Sequence, residues 1–113
     1  MSVSYFVRYD IHTVDQNAFI DYYRTHHVPK LARWPGLKRV VLHTPVDWSD
    51  TWPVNRGRAV LVAQLEFDSA EAMHAAFASP ERALARADMG NFPPFEGVVT
   101  HQAFASAEAW RKP

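Results

Sequence analysis

Cysteine is absent from this chain, which excludes disulfides, thiolate nucleophiles and thiolate metal sites and fits a reducing compartment. Net charge is absent too. Twelve Lys and Arg balance twelve Asp and Glu, removing the basic footprint that a binder of nucleic acid or of anionic membranes carries. Glycine occurs only four times, in no GxGxxG or phosphate-loop spacing, and there is no GxSxG elbow, so nucleotide binding and serine hydrolysis have no motif to rest on. Charged or polar residues interrupt every apolar run well below membrane-spanning length. Residues 1–8 lack the basic start and apolar core of a signal peptide. These absences lead to the expectation of a cytoplasmic protein with no nucleic-acid and no membrane partner. The six histidines show no ligand spacing, and His26 and His27 project about 100° apart on a helix, so neither a metal nor another cofactor is expected.

Aromatic residues are abundant instead. Four Trp, four Tyr and seven Phe among 113 residues exceed the needs of one small core and point to a second apolar surface, for a ligand or a subunit. The length suits a single domain spanning residues 1–113.

The stretch Phe19 to Leu37 organises the rest. Phe19, Ile20, Tyr23 and His27 recur at helical spacings of three and four, which places His27 at the end of a buried stripe. Val28 precedes Pro29 and is biased away from the α region, so the helix is predicted to end or kink there, with Pro29 opening a short second turn through Arg33. Upstream, Val3 to Ile11 alternates with a period of two and predicts a strand, and Asp15 suits the N-cap of the helix that follows. Pro35-Gly36 turns the chain into a second strand, Leu37 to Thr44. Arg58 to Phe67 reads as a third, with Ala59, Leu61, Ala63, Leu65 and Phe67 facing the helices. Asp68-x-x-Glu71 has capping-box spacing and opens a second helix, whose stripe runs through Met73 and Phe77. Ser79-Pro80 opens a short helix to about Asp88, and Glu96 to Phe104 is the last strand.

Strand, helix, strand, strand, helix, strand is the order of the ferredoxin-like βαββαβ fold, an α+β architecture with a four-stranded antiparallel sheet and its helices on one face. On the uncovered face, Val60, Val62, Val98 and Phe104 mix with Arg8, Gln64, Glu66 and Thr100. That mixture is too apolar for water and too polar for a dry core. A homodimer joined through the sheet faces resolves it, enclosing a barrel-like interior with room for a small apolar ligand.

Phe19-x-x-Tyr22-Tyr23-x-x-x-His27-x-Pro29 followed by Pro35-Gly36-Leu37 resembles the motif of the EthD-like family of dimeric α/β-barrel proteins. Phe67-Asp-Ser-x-Glu71 and Phe77-x-Ser-Pro80 resemble the second half of that superfamily. The resemblance implies bacterial degradation of ethers, such as ethyl tert-butyl ether, or of aromatic compounds. It also implies relatives that act without a cofactor as lactone isomerases or quinone-forming enzymes, and a few that bind haem. Tyr23 stands where the family often has Trp.

His27 is the prime candidate for proton transfer, being a helix-end histidine with an aromatic residue, Tyr23, one turn before it. It also suits a purely structural part, capping carbonyls at the helix end. Arg8, Asp10, Val62, Gln64 and Glu66 are the candidate substrate-binding residues of the sheet, which equally suit an ion-pair network. Trp48 and Trp52 join them from the loop Pro45 to Gly57, which reads either as a lid over the cavity or as part of the dimer interface. Two functions stay open: a cofactor-independent catabolic or oxidative enzyme with His27 as general acid or base, and a non-catalytic ligand-binding accessory to an oxygenase system.

Overall fold

The computed structural model describes residues 2–113. Its elements follow one another as β1 (Ser2–Thr13), α1 (Gln16–Tyr22), α2 (Val28–Leu31), β2 (Leu37–His43), β3 (Leu61–Phe67), α3 (Ala70–Phe77), α4 (Pro80–Ala87) and β4 (Phe95–Ser106). A π-helical turn, Tyr23–His27, joins α1 to α2, and a 3₁₀ turn, Asp88–Asn91, follows α4. The strands form one antiparallel sheet in the order β2-β3-β1-β4. This is the ferredoxin-like α+β arrangement expected from the element order. Among the described residues no helix is long and apolar enough to cross a membrane.

Register assigns the two faces. Val3, Tyr5, Val7 and Tyr9 stand opposite Phe67, Leu65, Ala63 and Leu61, and the strand period of two aims all eight at the helices. Phe19, Tyr23, Met73, Ala76 and Ala85 close the core from the helical side. Each large side chain removed from water there contributes about 1.5–3 kcal/mol. The other register set, Ser4, Phe6 and Arg8 opposite Glu66, Gln64 and Val62, forms the uncovered face.

Local chemistry explains where elements begin. Asp15 caps α1 as expected, its side chain accepting from the Ala18 N–H at 3.1 Å. Ser79 caps α4 with Pro80 in the first turn. At α3 the cap is Ser69, not Asp68. Its hydroxyl accepts from the Ala72 N–H at 3.1 Å, leaving the exposed Asp68 carboxylate 3.6 Å from Lys38 Nζ.

Two expectations are corrected. Val28 does not leave the α region, lying at φ −54°, ψ −42°, although Pro29 does sit in the first turn of a short second helix, α2, as expected. Pro29 has no N–H to give, and the backbone absorbs the deficit by widening one turn, so that the Val28 N–H reaches the Tyr23 carbonyl five residues back. The third strand starts at Leu61 rather than Arg58, its ladder to β1 beginning at the Tyr9–Leu61 pair and its ladder to β2 at His43–Val62. Val60, expected on the uncovered face, is only 3% exposed, its N–H donating to the Tyr9 carbonyl at 2.9 Å.

Gly97 is required where β4 crosses Ile11 of β1. It holds φ +132°, and a Cβ there would lie 2.4 Å from the Asp10 carbonyl oxygen. Gly97→Ala is expected to lower unfolding free energy by about 2–3 kcal/mol through strain and backbone collision. Gly90→Ala, whose Cβ would meet nothing within 4 Å, should stay within about 0.5 kcal/mol. Urea denaturation of both variants checks the contrast.

Candidate active site

Asp88 is 3% exposed and sits where α4 gives way to the 3₁₀ turn. A carboxylate buried this far is tolerated only if its oxygens are satisfied. Oδ2 bonds His27 Nδ1 at 2.9 Å. Oδ1 accepts from the Tyr22 hydroxyl at 2.9 Å and from Asn91 Nδ2 at 3.1 Å, with Lys30 Nζ 3.4 Å away. Three of these partners come from the α1–π–α2 segment. In an uninterrupted α-helix residues four apart drift about 40° around the axis. The wide turn at Tyr23–His27 keeps Tyr23, His27 and Leu31 all buried.

The electrostatics assign the proton. Burial alone would push the Asp88 carboxyl up, but the hydrogen bonds from His27, Asn91 and Tyr22 and the Lys30 charge overcome it and hold it at about 2. Burial pushes His27 below 6.5, against the opposing pull of Asp88 and with help from Lys30. At neutral pH a neutral imidazole therefore faces an ionised carboxylate, which can only accept. Nδ1 carries the hydrogen and Nε2 the lone pair. The ring is fixed by Tyr23 and Phe92, both with centroids 4.8 Å away.

His27 lines a cavity of about 60 Å³ between the sheet and the helices, several times the ~10–15 Å³ that one water needs. Tyr5, Val7, Tyr9 and Leu65 form its sheet wall, and Tyr23, Leu31 and Trp34 its helical wall. Arg82, Arg86 and Met89 close it from α4 and beyond, while His101 enters from β4, its Nδ1 2.5 Å from the Tyr5 hydroxyl. Burial raises the Tyr9 hydroxyl to about 12 and Tyr23 well above its ordinary value, so both stay protonated. The arrangement can accept a proton at His27 from an acidic C–H or O–H of a small molecule held among aromatic walls.

Of the residues proposed from sequence, His27 and Tyr23 share this cavity. Arg8, Asp10, Val62, Gln64 and Glu66 lie on the opposite face of the sheet. Arg8 Nε there pairs with Asp10 Oδ2 at 2.8 Å, Gln64 bonds His43 and Ser4, and Glu66 pairs with Arg39. One cavity cannot hold both sets. Trp48 and Trp52 are exposed, the former under the Arg56 guanidinium at 4.0 Å, and neither lines the His27 cavity. Asp88, Asn91, Arg82, Arg86 and His101 escaped the sequence reading. A lone acid closing an alanine-rich helix, with Asn three residues on, was the available sign of a shared hydrogen-bond cluster.

The EthD domain model matches residues 11–96. The chain belongs to the EthD family. It is 37% identical over 81 residues, 72% of its length and 75% of the relative's, to the 11.0 kDa protein of the thcB-thcC intergenic region of Rhodococcus erythropolis. An EthD family protein of Bacillus halodurans shares the fold at TM-score 0.71 and 20% identity, covering 95% of this chain and 100% of that one. SnoaB of Streptomyces nogalater, a cofactor-independent oxygenase, does so at TM-score 0.66 and 16% identity over 98% of both chains.

The pH dependence of stability follows for this EthD chain. Asp88 falls from an ordinary 3.8 to about 2 in the fold, so it contributes on the order of 2 kcal/mol above pH 4 that is lost as pH falls towards 2. His27 is lowered as well, and its contribution, complete above its unfolded value near 6.5, is lost as pH falls below that. Urea midpoints should therefore drop in two stages on acidification, and Asp88→Asn should remove the lower stage.

Proposed function

We propose that this EthD protein is a cofactor-independent enzyme in which Nε2 of His27 removes a proton from an apolar, aromatic-sized substrate while Asp88 holds the ring in the required tautomer. The observation that carries this reading is the buried 2.9 Å His27–Asp88 pair at the wall of an aromatic cavity. In the proton transfer the substrate C–H or O–H bond breaks, its electron pair stays on the substrate, and Nε2 gains the hydrogen to give an imidazolium stabilised by Asp88. The resulting electron-rich anion can be reprotonated at another atom, giving isomerisation, or pass electrons to dioxygen. The likeness in fold to SnoaB, described as a cofactor-independent oxygenase, supports oxidative chemistry of this second kind.

The working unit we propose is a homodimer joined through the uncovered sheet faces. Phe6 and Phe104 meet edge to face there at 5.5 Å, and Val98 and Phe104 are exposed. The chain is also flat and open, with extents of 45 × 43 × 21 Å. Its radius of gyration of 15.6 Å exceeds the ~13 Å of a compact chain of this length. Residues 44–58 and 107–113 are exposed throughout and carry Trp48, Trp52 and Trp110, apolar side chains placed to reach a second copy. Together with Val98→Asp, Phe104→Glu is expected to yield a folded monomer in sedimentation velocity. A dimer that survives both changes contradicts this assembly.

Turnover separates enzyme from carrier. Against enolisable lactones, phenols and hydroquinones, followed by product analysis and oxygen uptake, His27→Ala is expected to lower the rate about 10²–10⁴-fold while ligand affinity changes little. Binding without turnover across the whole panel would identify the accessory carrier instead.

A further inference from the structure

Every formal charge on the wall of the His27 cavity is positive. Its lining includes Arg82 and Arg86 but no Asp or Glu. Asp88 stands behind His27 rather than on the wall, with its oxygens committed to His27, Tyr22 and Asn91. Among the described residues neither arginine forms an ion pair, as is also true of Arg33, Arg56 and Arg58 away from the cavity. Arg82 is nonetheless held in place. Its guanidinium stacks over Phe77 at 4.1 Å and lies 6.0 Å from the Trp34 ring, a geometry that leaves the donor edge of the fork free.

Trp34 on the same wall contributes its ring and not its N–H: it is 7% exposed, and its indole Nε1 is sealed from water. Two guanidiniums without ion-pair partners, and no acid among the lining residues, describe a cavity short of a negatively charged oxygen.

We propose that the EthD cavity recognises its substrate by an anionic oxygen group, bound by the Arg82 and Arg86 guanidiniums, while the apolar body of the molecule lies against Tyr9 and Tyr23. This deepens the proposed function and rests on the same cavity. It narrows the substrate from any apolar molecule to a small aromatic or enolisable acid, or its oxyanion. Arg86 is exposed and Arg82 half-buried, so the charged end of the ligand sits at the mouth and its reacting hydrogen inside, towards His27. The His101 side chain, also on the wall, is kept neutral by burial and by both arginines and does not add to the charge.

The test compares benzoate with its uncharged isostere benzamide by titration calorimetry on the full chain at low salt. Benzoate is expected to bind about ten-fold or more tightly than benzamide, the scale of one charge-assisted hydrogen bond. Arg82→Met with Arg86→Met should erase that ratio by weakening benzoate more than benzamide, whose carbonyl loses only hydrogen bonds from a neutral acceptor, with an unchanged circular dichroism spectrum controlling for folding. Equal binding of the two ligands, no binding of benzoate, or a ratio that survives the double variant overturns the proposal. His27→Ala keeps the two readings apart. Retained benzoate selectivity with unaltered turnover in that variant would leave the anion site standing and remove the proton-transfer function.

Discussion

A carboxylate cannot be left in a protein interior without donors around both oxygens, and Asp88 imposes this condition on its part of the molecule. Its two oxygens gather a histidine, a tyrosine, an asparagine and, more distantly, a lysine. Of these, Tyr22, His27 and Lys30 belong to one stretch of helix, while Asp88 and Asn91 belong to the turn after α4. The bonds therefore tie the first helical segment to the second, over a sequence separation of about sixty residues. They also orient the histidine: a carboxylate on Nδ1 fixes the hydrogen there and keeps Nε2 basic. Held between Tyr23 and Phe92, the ring has little freedom left.

The sheet divides labour between its faces. On the helix side the period of two places Tyr5, Val7 and Tyr9 opposite Tyr23, Leu31 and Trp34, and the space left among them is the cavity. On the other side Arg8–Asp10 and Arg39–Glu66 pairs surround an apolar patch at Phe6, Val62 and Phe104. That composition suits association, where charged rims set register around an apolar centre. On the proposed function, chemistry and assembly would use opposite faces of one sheet, with β1 and β4 bordering both. His101, whose ring reaches Tyr5 on the cavity side, also borders the groove beside Phe6 and Phe104 on the assembly side, so a second copy would lie close to the cavity mouth.

Much of the fold was legible because its signals are local. Alternation in Val3–Ile11, the Asp15 and Ser79 caps and the Pro35-Gly36 turn each act over a few residues, and the order of elements then leaves few topologies. His27 was legible for the same reason, as the last member of a helical stripe. What escaped needed distance or a missing partner. Nothing near Asp88 in sequence says that it meets His27, and Arg82 and Arg86 read as the solvated face of a short helix until the fold lays that helix beside Trp34. The π turn escaped because the rule for a residue preceding proline describes preference, whereas here packing of Tyr23 and His27 outweighs it. Val60 was misplaced by one simple step, carrying the alternation of β3 one residue past Leu61, where the ladder begins.

The central claim is that His27 is a neutral base oriented by Asp88, and nitrogen-15 NMR of the imidazole tests it most directly. With the histidines labelled, the account predicts that at pH 7 one ring shows the tautomer protonated at Nδ1 and unprotonated at Nε2, titrating below 6.5 and losing that preference in Asp88→Asn. A His27 ring protonated at Nε2, or one carrying both protons at pH 7, would contradict it.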